Sequence, residues 1–443
     1  MSIASTATTG TLLRLATAGS VDDGKSTLVG RLLYDSKSVL ADQLDAVERV
    51  SQAKGLGHVD LALLTDGLRA EREQGITIDV AYRYFATTKR TFILADCPGH
   101  VQYTRNTVTG SSTADALVLL VDVRKGVLEQ TRRHLAVGQL LRVPHIVVAI
   151  NKMDLVGYQQ GAYESVAAQV AELAADLGVP AIHTIPVSAL EGTNIVERGK
   201  STPWYHGPTL LELLETLPAG AELTALPFRF PIQLTIRPQE AAAPEYREYR
   251  GYAGQVATGV VSVGDRVVVL PAGRRTTVTG IDTADGPLEE AFASQSVTLR
   301  LADEIDITRG DLIAAATDAP EASQDLTGLV AWLSERPLRR GQRVLVKHGT
   351  ATVQAIVSEL GGRLDLGSLS PVPTDSLELN DIGRVTLRLA APVAADDYTS
   401  SRRTGSFLMV DPQSGGTLAA GMVRAQSAFD EAAREAELLS WSI

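Results

Sequence analysis

From Leu12 to about Pro218 the chain alternates short apolar runs with stretches in which apolar residues recur every three or four positions. Leu12–Ala18 is a short apolar run of strand character, and the runs Phe92–Ala95, Ala116–Val121, Ile146–Ile150 and Ile182–Val187 lack the polar alternation of a strand with one wet face. These last four predict strands buried on both sides. Between them, Val101–Gly110, Glu129–Leu141 and Tyr163–Leu177 predict amphipathic helices. Strands and helices in alternation predict an α/β domain on a mostly parallel sheet.

The pattern changes after Leu217-Pro218-Ala219-Gly220. From Leu226 the helical spacing disappears, and short alternating runs such as Arg266–Leu270 and Val297–Leu301 are separated by glycine turns (Val263-Gly264-Asp265, Ala272-Gly273, Arg309-Gly310-Asp311). A second break falls at Ala316–Asp325, followed by Leu329–Leu333, Arg343–Lys347, Thr350–Glu359, Gly383–Leu389 and Phe407–Asp411. This is the pattern of β-barrels. The domains expected are 1–11, a disordered lead-in; 12–220, α/β; 221–318, a first barrel; and 319–443, a second barrel whose acidic Gln426–Leu439 reads as a solvated tail helix.

Four motifs give the α/β domain its chemistry. Gly19-Ser20-Val21-Asp22-Asp23-Gly24-Lys25-Ser26-Thr27 fits G-x-x-x-x-G-K-[ST] between a strand and a helix. Its glycines allow consecutive N–H groups to face one anion at a helix N-terminus. Lys25 is placed to reach the β- and γ-phosphates, and the Ser26 hydroxyl to hold Mg²⁺. Asp96-Cys97-Pro98-Gly99-His100 follows the next strand. Its Asp can orient a Mg²⁺-bound water, and Gly99 offers an N–H to a γ-phosphate. In Asn151-Lys152-Met153-Asp154 the Asp154 carboxylate can accept from guanine N1–H and the exocyclic amine, where adenine would leave it unpaired. Asn151 would brace base and phosphate loop, the stem of Lys152 would cover the ring, and in Ser188-Ala189-Leu190 the Ala189 N–H could donate to guanine O6. Four motifs in this order, each after its own strand, predict a guanine-nucleotide-binding domain of the P-loop GTPase type. Between the first two, the charged stretch Asp66–Thr77 is either a solvated loop or a switch in which Thr77 becomes a second Mg²⁺ ligand.

Composition narrows the class. Among 443 residues, 44 % are hydrophobic and the net charge is −11, with mean hydropathy +0.05. That suits a globular chain and argues against a broad nucleic-acid-binding face. Cys97 is the one cysteine, so no internal disulfide can form and a reducing cytoplasm is expected. No apolar run is long enough to span a bilayer, and the small, polar N-terminus lacks the features of a secretory signal.

The Gly-Ile-Thr at Gly75–Thr77, the His following Asp-Cys-Pro-Gly, and Arg403–Asp411 resemble the translation-factor class of GTPases. Within it, the phosphate loop continuing into Arg31-Leu32-Leu33-Tyr34-Asp35-Ser36-Lys37 is similar to the large, GTPase subunit of bacterial sulfate adenylyltransferase. So are Asp66-Gly67-Leu68 with Glu71–Phe85, then Asp122–Val127, Phe228–Pro231 and Arg250–Gly254. The likeness runs from about Leu12 to Ala420. It implies a heterodimer, or a higher assembly, with a smaller subunit that transfers adenylyl from ATP to sulfate, giving adenosine 5′-phosphosulfate and pyrophosphate. This chain would hydrolyse GTP to drive that step, the first of sulfate assimilation. Some relatives carry a fused adenosine-phosphosulfate kinase; no second phosphate-loop motif occurs here, so a separate kinase is expected.

By the same resemblance, His100 would position the attacking water, with Lys25 and Thr77 completing the catalytic set. Val21 and Ile76 match a hydrophobic gate for that His, or simply pack. Asp22 matches a phosphate-loop acid, or serves as a structural acceptor. The basic run Arg336–Arg343 reads as a solvated barrel-strand edge in preference to a nucleic-acid contact. The loop Arg237–Arg250 is either a hairpin tip or a partner surface. The competing function is a translation factor delivering aminoacyl-tRNA; the net charge and the Gly-Ser-Val-Asp-Asp form of the phosphate loop favour the sulfate-activating reading.

Overall fold

The computed structural model describes residues 12–37, 45, 47, 49–51, 59, 61–64, 80–99, 104–179, 181–218, 221–238, 247–365 and 370–424. The lead-in 1–11 and the tail 426–439 lie outside them. The chain divides into two compact units, the first ending at Ala219 and the second beginning at Gly220.

The first unit is built on six strands: β1 (Leu12–Gly19), β2 (Ala81–Ala86), β3 (Thr91–Asp96), β4 (Ala116–Asp122), β5 (His145–Asn151) and β6 (Ile182–Pro186). Their order is β2-β3-β1-β4-β5-β6. All neighbours are parallel except β2, which runs antiparallel to β3. β4 is buried along its whole length, as its unbroken apolar run requires. Helix α1 (Lys25–Asp35) follows the phosphate loop and buries Leu28, Val29, Leu32 and Leu33 on the sheet, where they meet Leu13, Leu15, Phe92 and Leu120. Helices α2 (Thr104–Ser112), α3 (Glu129–Leu140) and α4 (Gln160–Asp176) complete the alternation. The helix expected over Val101–Gly110 is seen as α2; residues 101–103 are outside the described set.

Two elements had no expectation attached. β2 reads Ala-Tyr-Arg-Tyr-Phe-Ala, with Tyr82 and Tyr84 exposed and Phe85 buried, so only one apolar position marks it. Helix α5 (Leu210–Thr216) starts with a capping box: Thr209 N–H donates to Glu212 Oε2 at 2.8 Å and Glu212 N–H to Thr209 Oγ1 at 3.2 Å. Its far end is held by Arg90 Nη1, which donates to the carbonyls of Leu214 (3.0 Å) and Leu217 (2.6 Å).

The second unit contains two closed six-stranded antiparallel barrels. In the first, Arg266–Leu270, Leu312–Ala315, Arg229–Ile236, Gly251–Gln255, Ser296–Leu301 and Arg274–Thr283 neighbour one another in that order, and the last pairs back onto the first. In the second the circuit is Arg343–His348, Ser406–Val410, Thr417–Val423, Ala322–Trp332, Ile382–Ala394 and Ala351–Leu364, closed by the pairing of Arg343–His348 with Ala351–Leu364. Each has its own core, around Phe230, Tyr252 and Val269 in one and Trp332, Val346 and Leu387 in the other. Buried Arg229 spans the two, donating to both carboxylate oxygens of Asp396 at 2.9 and 3.0 Å. Within the basic run, Leu338–Arg339 forms one edge of a two-stranded sheet, and only Arg343 lies in a barrel strand. Leu338–Arg339 pairs with Ser376–Leu377, and Arg343 opens a strand flanked on both sides. Closure of the barrel supplies the partner, and Arg336, Arg339, Arg340 and Arg343 are exposed.

Candidate functional site

The site lies at the carboxyl ends of β1, β3, β4 and β5, where an open α/β sheet presents its ligand crevice. β1 ends in Gly19 at φ 150°, and the loop turns through Asp22 at φ 66° and Gly24 at φ 95°. Gly24 is required twice over: its backbone is left-handed, and a Cβ there would stand 2.5 Å from Asn151 Nδ2. The loop is tied internally. Ser20 N–H donates to Asp23 Oδ2 at 2.8 Å, and Lys25 Nζ donates to the carbonyls of Gly19 and Ser20 at 2.8 and 2.9 Å. Burial pushes the Lys25 ammonium pKa down against the opposing pull of Asp96 and Asp23, and burial likewise pushes Asp23 up. Ser26 and Thr27 are half-buried in the first turn of α1.

Asp96 closes β3. It is buried and accepts from Thr17 Oγ1 at 2.8 Å, which fixes its carboxylate beside the loop. Pro98 and Gly99 then bring the chain over the lysine: a Cβ on Gly99 would lie 2.3 Å from Lys25 Nζ and 2.8 Å from Gly19 O. Cys97 is buried, and burial pushes its thiol up, so it packs as an inert small group.

At the end of β5, Asn151 joins three motifs. Its Nδ2 donates to the Asp23 carbonyl at 2.7 Å, and its Oδ1 accepts the Ala189 N–H at 2.9 Å. Lys152, at φ 65°, donates to the Asp22 carbonyl and sits 3.1 Å from Asp122 Oδ2. Ser188 Oγ donates to Asp154 Oδ1 at 2.7 Å and accepts the Glu191 N–H at 3.2 Å. Arg31 of α1 reaches the carbonyls of Ala189 and Leu190, with Leu190 itself exposed.

The residues Gly19–Thr27, Asp96–Gly99, Asn151, Lys152, Asp154 and Ser188–Leu190 therefore converge. Thr77, Ile76 and His100 lie outside the described residues. Val21 stands on the loop with about a third of its surface exposed. Asp22, the other open assignment, uses its carbonyl as the acceptor for Lys152.

Three residues with no role expected from the sequence belong to this neighbourhood. Asp122 and Arg124 form an ion pair against Lys152, and His134 of α3 is buried beside Gly19. A signal for the first existed: Asp122 ends a buried run one strand away from Asn151 and pairs with it in register. For His134 no local pattern existed, because a helix histidine is read by what the fold sets against it.

A glycine-bounded loop at a helix N-terminus, a buried lysine inside it and an acid at the adjacent strand end can surround polyphosphate. Ser20 Oγ and Asp23 Oδ1 are buried with no hydrogen-bond partner among the described residues, which leaves polar capacity in the cradle. A hard cation needs only a hydroxyl, a carboxylate through water and phosphate oxygens, and Ser26 and Asp96 fit that donor set. No cluster of three or more His, Cys, Asp or Glu that could hold a metal occurs among the described residues. No helix among them is long and apolar enough to cross a membrane.

Fold and site define a GTPase of the elongation factor Tu class. The elongation factor Tu GTP binding domain model matches residues 11–220, and the GTP-eEF1A C-terminal domain-like model matches 325–424. Sulfate adenylyltransferase subunit 1 of Cellvibrio japonicus (strain Ueda107) is 47 % identical over 93 % of this chain and 86 % of its own. The chain belongs to the sulfate adenylyltransferase subunit 1 family of enzymes. The bifunctional enzyme CysN/CysC of Mycobacterium tuberculosis (strain H37Rv) is 52 % identical, over 93 % of this chain and 67 % of that protein. Among solved structures, sup35 complexed with GDP aligns over 94 % of each chain at 23 % identity and TM-score 0.42.

Proposed function

We propose that this chain is the GTPase subunit of a heterodimeric sulfate adenylyltransferase. GTP hydrolysis here drives formation of adenosine 5′-phosphosulfate and pyrophosphate from ATP and sulfate, with adenylyl transfer residing in a smaller partner. The observation that carries the reading is the joining of three nucleotide motifs through Asn151, with Asp96 of the fourth fixed beside the phosphate loop by Thr17, in a chain nearly half identical to subunit 1 of that enzyme. The name "subunit 1" of those relatives supports a partner, and the bifunctional CysN/CysC relative supports an adenosine-phosphosulfate kinase acting on the product.

Each group has a task. Gly19–Thr27 surrounds the phosphates, with Lys25 shifting from the loop carbonyls onto the β- and γ-oxygens. Gly99, held against Lys25, offers its N–H to the γ-phosphate. Ser26 and Thr77, with Asp96 through a water, would hold Mg²⁺, which would neutralise phosphate charge. Asp154, oriented by Ser188, accepts from guanine N1–H and its amine, Ala189 donates to O6, and Leu190 borders the base. The stem of Lys152 covers the ring. His100 positions the attacking water, standing where small signalling GTPases use Gln, so slow intrinsic turnover is expected.

The test is the GTPase rate of this chain co-expressed with the small adenylyltransferase subunit from the same source, with and without ATP plus sulfate. Stimulation that needs both substrates supports the coupling. Co-purification without stimulation overturns the coupling and keeps the partner. Neither complex nor stimulation overturns both.

A further inference from the structure

Asp122 is the last residue of β4, its side chain wholly buried, and it carries a charge that the nucleotide motifs do not account for. Arg124 contacts both of its carboxylate oxygens, and Lys152 only one. Oδ1 accepts the Arg124 N–H and Arg124 Nε, both at 3.0 Å, and so shapes its own turn. Oδ2 accepts Arg124 Nη2 at 2.7 Å and stands 3.1 Å from Lys152 Nζ. Burial pushes the carboxyl up, yet the hydrogen bonds from Arg124 and Lys152 together hold it well below the usual carboxylate range, so it is ionised. The Lys152 ammonium in turn donates to the Asp22 carbonyl, on the far side, in the phosphate loop. A lysine is a point charge on four flexible carbons and has no preferred direction of its own. Here its head is fixed from two sides.

We propose that Asp122 is a positioning residue of the guanine-nucleotide site. With Arg124 behind it, it anchors the Lys152 head between β4 and the phosphate loop, so that the lysine stem stays over the base and the base-reading segment stays in register with the phosphate cradle. The inference rests on the reading of Asn151–Asp154 as the base-reading segment. It adds a residue that touches no part of the nucleotide and acts only through Lys152.

Substitution of Lys152 makes the proposal separable from a turn-shaping role, because only the anchoring role passes through that lysine. D122N is isosteric and keeps one oxygen for the Arg124 N–H and Nε, but sets a neutral amide where both Lys152 and Arg124 Nη2 need an acceptor. The measurement is dissociation of a fluorescent GDP analogue from the full chain, made in wild type, D122N, K152M and the double variant. Expected is release about ten-fold faster in D122N, equivalent to about 1.4 kcal/mol, and little further effect of D122N once Lys152 is Met. R124A, whose side chain is partly exposed, should speed release only about two- to three-fold. Unchanged release in D122N overturns the proposal. So does an equal acceleration by D122N in both backgrounds, because a turn-shaping or folding role does not pass through the lysine. GDP against XDP binding by D154N reports separately on the base-reading segment. If D154N keeps its preference for GDP, that underlying reading fails, whatever Asp122 does.

Discussion

Asn151 Nδ2 donates to the carbonyl of Asp23 across 2.7 Å, and that one bond joins the end of β5 to the middle of the phosphate loop. Because Asn151 Oδ1 also accepts the Ala189 N–H, a single side chain sets the spacing between the segments expected to hold phosphate and base. Both groups are buried, so neither is replaced by water when lost.

N151A should therefore weaken guanine-nucleotide binding about ten- to one-hundred-fold, the cost of leaving buried groups unpaired. Titration with a fluorescent GDP analogue measures it. An unchanged Kd would show that the loop holds its shape without this brace.

Gly99 is pinned by contact. A methyl group there would meet Lys25 Nζ, which is flexible, and the Gly19 carbonyl, which is not. G99A should lower kcat for GTP at least about ten-fold, on the argument that a misplacement of an ångström in a positioned site costs that or more. GDP affinity should change much less, because the Gly99 N–H is assigned to the γ-phosphate. Equal losses for GDP and GTP would contradict that assignment.

His134 makes acid stability a readout of the same region. Burial, with the Lys25 ammonium close by, pushes its imidazole from 6.5 to about 3. Between those values the unfolded chain binds a proton that the folded chain does not. Stability thus falls as pH drops below 6.5, by about 1.4 kcal/mol per pH unit for one such group. Buried His348, also pushed down by burial, adds a slope of the same sign. H134Q should show a shallower decline in urea midpoint from pH 7 to 5 than wild type. Parallel declines would mean that His134 protonates in the folded state at ordinary pH.

What could be read from the sequence was whatever depends on consecutive residues. The loop Gly19–Thr27 announces itself because its glycines and lysine must be local, and the apolar runs of β1, β4 and β5 are legible because both faces are buried. β2 escaped notice because an edge strand with exposed Tyr82 and Tyr84 has no apolar period to show. Asp122 and His134 escaped for another reason. Each acts on a residue distant in the chain, through a register or a helix packing that exists only once the sheet has formed. The charges of Arg336–Arg343 suggested a solvated edge, and these arginines are exposed; that the strand Arg343–His348 has neighbours on both sides depends on barrel closure, which no local pattern shows.

The central claim is that guanine-nucleotide hydrolysis in this chain drives sulfate activation, and the nucleotide can be switched to test it. In D154N the side-chain amide donates where the carboxylate accepted, which suits the C2 oxygen of xanthine and not the amine of guanine. With the D154N chain complexed to the small subunit, and ATP, sulfate and Mg²⁺ present, adenosine 5′-phosphosulfate should accumulate beyond its unassisted equilibrium only when XTP is supplied. The wild-type complex should do so only with GTP. Accumulation that is the same with either nucleotide, or with none, would contradict the account.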